Sequence, residues 1–225
     1  MTPLLLVILF IGAGMKLNKE KVVCFGDSIT YGAKVNRHSW VYLLNNSQRE
    51  LHFLNEGRNG RKTSDRDELI PAIKRHMDAG LFLIFLGVND LKDGNDSMVA
   101  ACVSNMRWMI GEIRRSLPGA KVVILSPPKI NLGAMSALNV GKKYNEKTQT
   151  SLIHLEEEYR ELALRDSVGF ISLLNAVSPE NYADGLHPDS AGQEEIAKAV
   201  WRGLERYLGL SQSTGRRQAA EMDDR

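Results

Sequence analysis

Lys21-Val-Val-Cys-Phe25, followed by Gly26-Asp-Ser-Ile-Thr-Tyr-Gly32, is the stretch that decides the fold. Its first half is a short apolar run without alternation. Such a run suits a strand covered on both faces, as in a parallel sheet. Gly26 closes the run, and polar residues follow at once. The same grammar recurs along the chain. Leu51 to Leu54, Leu81 to Leu86 and Lys121 to Leu125 are three further runs, the last stopped by Pro127 and Pro128. Val168 to Ser172 is a fifth, weaker run.

Helical patterns lie between these runs. Val99, Cys102, Val103, Met106, Ile110, Ile113 and Leu117 recur at three- and four-residue steps. So do Ile196, Val200, Leu204 and Leu208, and Leu152, Leu155, Tyr159 and Leu162. These stripes read as core-facing surfaces, with Glu156, Glu157 and Glu158 as a solvated face. Strands alternating with helices predict an α/β chain. Its expected form is a three-layer α/β/α sandwich around a five-stranded parallel sheet, doubly wound.

Composition agrees with one globular domain. The 225 residues are 43% hydrophobic and 25% charged, which excludes disordered, collagen-like and coiled-coil classes. A net charge of +2, from 29 basic and 27 acidic residues, gives no electrostatic case for nucleic acid. Cys24 and Cys102 fall in apolar patterns and read as buried thiols. The five histidines show no metal-ligand spacing.

The domain is expected over residues 21–210, between two unlike ends. Residues 1–20 form an apolar leader in which Leu4 to Ile11 is unbroken, too short for a membrane-spanning helix. It reads as an export or anchor signal, with membrane contact only in that case. Alternatively Met15 is the true start of a cytoplasmic chain, because Met15 to Lys21 leads straight into a strand. Residues 211–225 are polar, without a periodic apolar face, and read as a solvated tail.

In doubly wound sheets ligands bind beyond the carboxyl ends of the strands. Four polar motifs stand at strand or loop ends. They are Gly26-Asp-Ser-Ile-Thr-Tyr-Gly32, Asn55-Glu-Gly-Arg-Asn-Gly-Arg-Lys-Thr63, Gly87-Val-Asn-Asp90 and Asp184-Gly-Leu-His-Pro188. Each alone reads as a turn or a helix cap. Together they offer a nucleophile, a base, an orienting carboxylate and amide donors. Ser28 needs a base to take its proton. His187, with an unperturbed pKa of about 6.5, is the natural one. Pro188 steers His187 out of helical geometry, so Asp184 and His187 share a turn. In such a turn the carboxylate can accept the ring Nδ1–H and fix the tautomer.

From about Val22 to Leu204 the chain resembles the SGNH hydrolases of the GDSL esterase/lipase family. Phe25 to Gly32 matches the family's first block, Gly60 the second, Gly87 to Asp90 the third, and Asp184 with His187 the last. Glu56 to Thr63 and Ser126-Pro-Pro128 are similar to the arylesterase and acyltransferase branch. The resemblance implies a flavodoxin-like fold and a serine esterase that needs no metal or cofactor. It implies catalytic Ser28, Asp184 and His187. It assigns the oxyanion donors to the backbone N–H of Ser28, the backbone N–H of Gly60 and the Asn89 amide. The expected partner is a small-molecule ester of a short acyl, aryl or acetylated-sugar kind. Transfer of the acyl group to an alcohol or sugar is the alternative, and a non-catalytic binding domain a further one. The motif is not the Gly-x-Ser-x-Gly elbow, because Thr30 stands two residues after Ser28.

Three further expectations concern the surroundings. Asp27 and Asp90 read as turn or supporting groups. Arg58, Arg61 and Lys62 read as a solvated basic loop, with attraction of an anionic substrate as the alternative. The segment from Lys129 to Thr150 is expected to border the acyl or alcohol pocket. Its Ile130, Leu132, Met135, Leu138 and Val140 either line an acyl site or pack the segment down.

Overall fold

Five parallel strands form one sheet in the order β2-β1-β3-β4-β5. They are β1 (Glu20–Gly26), β2 (Leu51–Gly57), β3 (Ala79–Phe85), β4 (Lys121–Leu125) and β5 (Gly169–Ile171). This computed structural model describes residues 20–210. The expected leader up to residue 19 and the expected tail from residue 211 lie outside the described residues.

Side chains alternate across each strand, so each strand feeds two cores. Val23, Phe25, Phe82, Ile84, Val122 and Ile124 face one core. It is closed by α3 (Leu69–Arg75), α4 (Asp96–Ser116) and α6 (Glu146–Arg165), the short α5 (Ala137–Gly141) lying between the last two along the chain. Val22, Cys24, Leu81, Leu83, Val123 and Leu125 face the other. It is closed by the one-turn α1 (Ser28–Tyr31), by α2 (Trp40–Ser47) and by α7 (Ser190–Leu208). Burial on both faces is why the strands read as unbroken apolar runs. Each large side chain so enclosed contributes about 1.5–3 kcal/mol. The three-layer flavodoxin-like sandwich is as expected. The stripes of α4, α6 and α7 face the cores, with Val103, Leu117 and Leu208 only partly buried, and both free cysteines are buried. Among the described residues no helix is long and apolar enough to cross a membrane.

The glutamate run needs correction. Glu157 is exposed, but Glu156 is buried. It lies four residues after Leu152 and three before Tyr159, which turns it onto the core-facing side of α6. Its carboxylate accepts from Ser126 Oγ (2.9 Å), Ser172 Oγ (2.8 Å) and Arg160 (2.8 Å). Ser126 Oγ in turn accepts the Leu173 N–H (2.9 Å). One buried carboxylate thereby ties the ends of β4 and β5 to α6, and full hydrogen bonding offsets its desolvation.

Candidate active site

β1 and β3 are adjacent in the sheet, and the chain leaves their carboxyl ends to opposite sides. A crevice opens at such a switch point. Ser28 follows β1 there, and Asn89 follows β3.

Ser28 is the first residue of α1. Asp27 caps that turn, its Oδ1 accepting the Ile29 N–H (2.9 Å). Gly26 permits the sharp exit from β1, since a Cβ there would lie 2.1 Å from Thr30 Oγ1. Gln193 of α7 holds the turn from behind. It accepts the Trp40 N–H (2.8 Å) and donates to the Ile29 carbonyl (3.3 Å). The Ser28 hydroxyl is thus fixed on a rigid corner.

His187 reaches the same corner from a loop just before α7. The Ala183 N–H donates to the His187 carbonyl (2.9 Å), and the Asp189 N–H to the Asn181 carbonyl (3.0 Å). His187 Nε2 lies 3.0 Å from Ser28 Oγ. Its Nδ1 lies 2.9 Å from Asp184 Oδ2 and 3.0 Å from Oδ1. Asp184 Oδ1 also accepts the backbone N–H groups of His187 (2.8 Å) and Leu186 (3.2 Å). Partial burial raises the pKa of Asp184. The His187 N–H, the imidazole and the Leu186 N–H outweigh that and hold the carboxyl below its ordinary value. An ionised Asp184 favours the tautomer with the proton on Nδ1, leaving Nε2 free to accept from Ser28.

Two backbone donors face the same place. The N–H groups of Ser28 and Gly60 have no hydrogen-bond partner among the described residues. Gly60 has a φ of 75° with no atom within 4 Å of a would-be Cβ. Glycine is needed there for the backbone conformation, not for space. Asn89 stands beside them. Its Nδ2 donates to the Arg61 carbonyl (3.2 Å) and has a long 3.4 Å contact with Asp27 Oδ2. A cleft of about 250 Å³ is lined by Ser28, Gly60, Asn89 and His187, so all but Asp184 of the expected site residues touch one space. Asp184 stands behind His187, as an orienting group would.

Asp27 and Asp90 are supporting groups. Asp90 accepts the Thr63 N–H (3.0 Å) and the Thr63 hydroxyl (2.6 Å), which anchors the loop that carries Gly60. Burial, above all, pushes the Asp27 carboxyl up to about 7, and the nearby Asp90 adds to it.

The basic loop is solvated only in part, since Arg58 and Lys62 are exposed and Arg61 is not. Arg61 is buried and donates to the Gly26 carbonyl (2.6 Å), the Glu56 carbonyl and Glu68 (3.0 Å). Its guanidinium lies 4.0 Å from the Phe25 ring centroid. Arg58 donates to Asp65 (2.6 Å) and Glu68 (2.7 Å). The two arginines clamp the ends of β1 and β2 to the following turn, because Asp65 and Glu68 neutralise them. Of the three expected cations only Lys62 is without an ion pair among the described residues.

The segment from Lys129 divides its roles. Ile130 packs into the core. Leu132, Met135 and Val140 border an open groove that meets the cleft at Tyr144. Leu138 is 65% exposed. The segment also braces the histidine loop. The Asn131 N–H donates to the Gly185 carbonyl (2.8 Å), and Asn139 Nδ2 to the Asp184 carbonyl (3.1 Å). Sequence reasoning passed over Tyr144, whose hydroxyl donates to Asn89 Oδ1 (2.7 Å). Its only signal was a lone aromatic between lysines and an Asn helix cap. Among the described residues no group of three His, Cys, Asp or Glu side chains is arranged to hold a metal ion.

The model of the GDSL-like Lipase/Acylhydrolase family matches residues 24–195. No curated protein matches the chain. Among solved structures, a carbohydrate acetylesterase family member from Sinorhizobium meliloti superposes with a TM-score of 0.72 at 22% identity, over 84% of this chain and 99% of its own. The native M. smegmatis aryl esterase gives 0.69 at 21% identity, over 83% and 99%. A lipase/acylhydrolase from Enterococcus faecalis gives 0.65 at 25% identity, over 84% and 96%. These likenesses carry the fold.

Proposed function

Since the chain belongs to the GDSL-like lipase/acylhydrolase family, whose members are carboxylic ester hydrolases, we propose that it cleaves a small ester through an acyl-enzyme on Ser28. The observation that carries this reading is the line from Ser28 Oγ through His187 to Asp184, with steps of 3.0 Å and 2.9 Å. Ser28 and Gly60, whose backbone N–H groups have no partner among the described residues, line the same cleft.

The steps follow from that geometry. Ser28 Oγ attacks the ester carbonyl carbon while His187 Nε2 takes the hydroxyl proton. The carbonyl oxygen becomes an oxyanion, held by the N–H groups of Ser28 and Gly60 and by Asn89 Nδ2. Asp184 accepts the Nδ1–H bond and stabilises the imidazolium. The imidazolium gives its proton to the leaving alkoxide oxygen, and the alcohol departs. Water then attacks the acyl-enzyme, with His187 taking its proton and returning one to Ser28 as the acid leaves.

A cleft of about 250 Å³ is small for a ligand site and favours a short acyl group. A short acyl, aryl or acetylated-sugar ester fits that limit. The test is labelling with a fluorophosphonate probe. The wild-type chain is expected to label, and Ser28→Ala to lose both label and ester cleavage. Undiminished labelling or cleavage in Ser28→Ala overturns the mechanism.

A further inference from the structure

Two lysines line the Ser28 cleft, and a third, Lys62, follows two residues after the Gly60 that lines it. Lys92 and Lys142 line it together with Tyr144. Lys92 Nζ lies 5.3 Å from the Tyr144 ring centroid, so it sits over the wall of the cleft rather than out in solvent. Partial burial holds Lys92 below the ordinary lysine value. The like charges of Lys62 and Lys142 push the same way, and Asp90 opposes them. Lys92 is therefore close enough to feel the charges of both other lysines.

None of the three has a carboxylate in ion-pair range among the described residues. The ion-paired lysines there are Lys21, Lys34, Lys147 and Lys198. Asp90 offsets part of the charge at Lys92 from beyond ion-pair range, its oxygens being hydrogen-bonded to the backbone and hydroxyl of Thr63. Convergent cations with only partial counter-charge repel one another, and a cleft concentrates their field. An anion placed between them relieves that repulsion. The contrast with Arg58 and Arg61 is instructive, because those two cations are already neutralised by Asp65 and Glu68.

We propose that the natural ester carries an anionic group, phosphate or carboxylate, which Lys92 and Lys142 bind beside the scissile carbonyl. This rests on the Ser28 esterase reading and names its substrate class. The anion takes no part in the bond changes. It adds affinity and orients the carbonyl over Ser28.

Two matched substrate pairs test it. One is 1-acetylglycerol against 1-acetylglycerol 3-phosphate. The other is the methyl ester of 4-nitrophenyl succinate against 4-nitrophenyl hydrogen succinate. In at least one pair the wild type is expected to favour the anionic member about ten-fold or more in kcat/KM, mainly through KM. The pair that responds identifies the anion. The preference should shrink as salt rises, since exposed charges are screened. Each of Lys92→Gln and Lys142→Gln should lower it about two- to five-fold, and Lys142→Glu further. Ser28-dependent cleavage of both pairs with no preference for the anion overturns the inference and leaves the esterase reading standing. So does a preference unchanged in the Lys92→Gln/Lys142→Gln double variant. Absence of both cleavage and fluorophosphonate labelling overturns the esterase reading and this inference with it.

Discussion

The Tyr144 hydroxyl donates a 2.7 Å hydrogen bond to Asn89 Oδ1, and both side chains are buried. Burial, with help from the charges of Asp27, Asp90 and Asp184, pushes the phenol pKa up. Tyr144 is therefore the donor at any ordinary pH. That fixes which end of the Asn89 amide is oxygen and leaves Nδ2 on the side of the Arg61 carbonyl and Asp27. Tyr144→Phe removes the orienting bond but keeps the ring. Its kcat on 4-nitrophenyl acetate is expected to fall about 10-fold with KM little changed. Asn89→Ala, which loses the donor itself, should fall about 100-fold or more. A Tyr144→Phe enzyme with wild-type kcat would show that the bond positions nothing.

The sequence was most readable where neighbours along the chain decide the structure. Val22 to Phe25 and Leu81 to Leu86 are apolar on both faces because helices cover both, so composition alone marks them as inner strands. Ser28, Asn89 and His187 were legible because each stands directly beyond a strand or before a helix. What stayed hidden depends on partners far along the chain. Arg61 looks like a surface cation until the Gly26 carbonyl and Glu68 meet it. Glu156 looks solvated until Ser126 and Ser172, from two strand ends, converge on it. Lys92 and Lys142 lie 50 residues apart, and only the fold brings them to one cleft.

Asp184→Asn tests the orienting carboxylate. The amide accepts only through its oxygen and can present an N–H to His187 Nδ1, which favours the tautomer that cannot take the Ser28 proton. A loss of about 10⁴-fold in kcat is the size such a change has in a serine triad. We expect a loss of about 10²-fold or more here, measured with a neutral chromogenic ester. A change under about 3-fold would remove Asp184 from the proposed mechanism.

Glu156→Ala separates structure from chemistry. The change strands the Ser126 hydroxyl in the core, takes a partner from the exposed Ser172 and frees Arg160. It should lower unfolding free energy by about 2–3 kcal/mol in urea titration. The carboxylate touches none of Ser28, His187 or Asn89, so kcat/KM below the unfolding transition should stay within about 3-fold of wild type. A stability change below about 0.5 kcal/mol would mean the network is not stabilising.

Asp27 gives the fold a pH dependence of unusual sign. Burial raises its carboxyl from 3.8 to about 7 in the folded chain, with Asp90 adding to the shift and the Ile29 N–H and Arg61 opposing it. The unfolded chain ionises near the ordinary carboxylate value. Between about pH 4 and pH 7 the folded state therefore holds a proton that the unfolded state has lost. Stability must then fall as pH rises across that window, and become independent of Asp27 on either side. Asp27→Asn cannot titrate, and its Oδ1 can still cap Ile29. Any fixed penalty from turning an amide toward Asn89 is constant with pH. The measurement is the difference in unfolding free energy between wild type and Asp27→Asn, in urea, from pH 4 to pH 8. The wild type should lose ground by a few kcal/mol, on the order of one pKa-unit equivalent per unit of pH crossed. A difference that stays flat from pH 4 to pH 8 would place the Asp27 carboxyl near its ordinary value and remove its proton from the folded site.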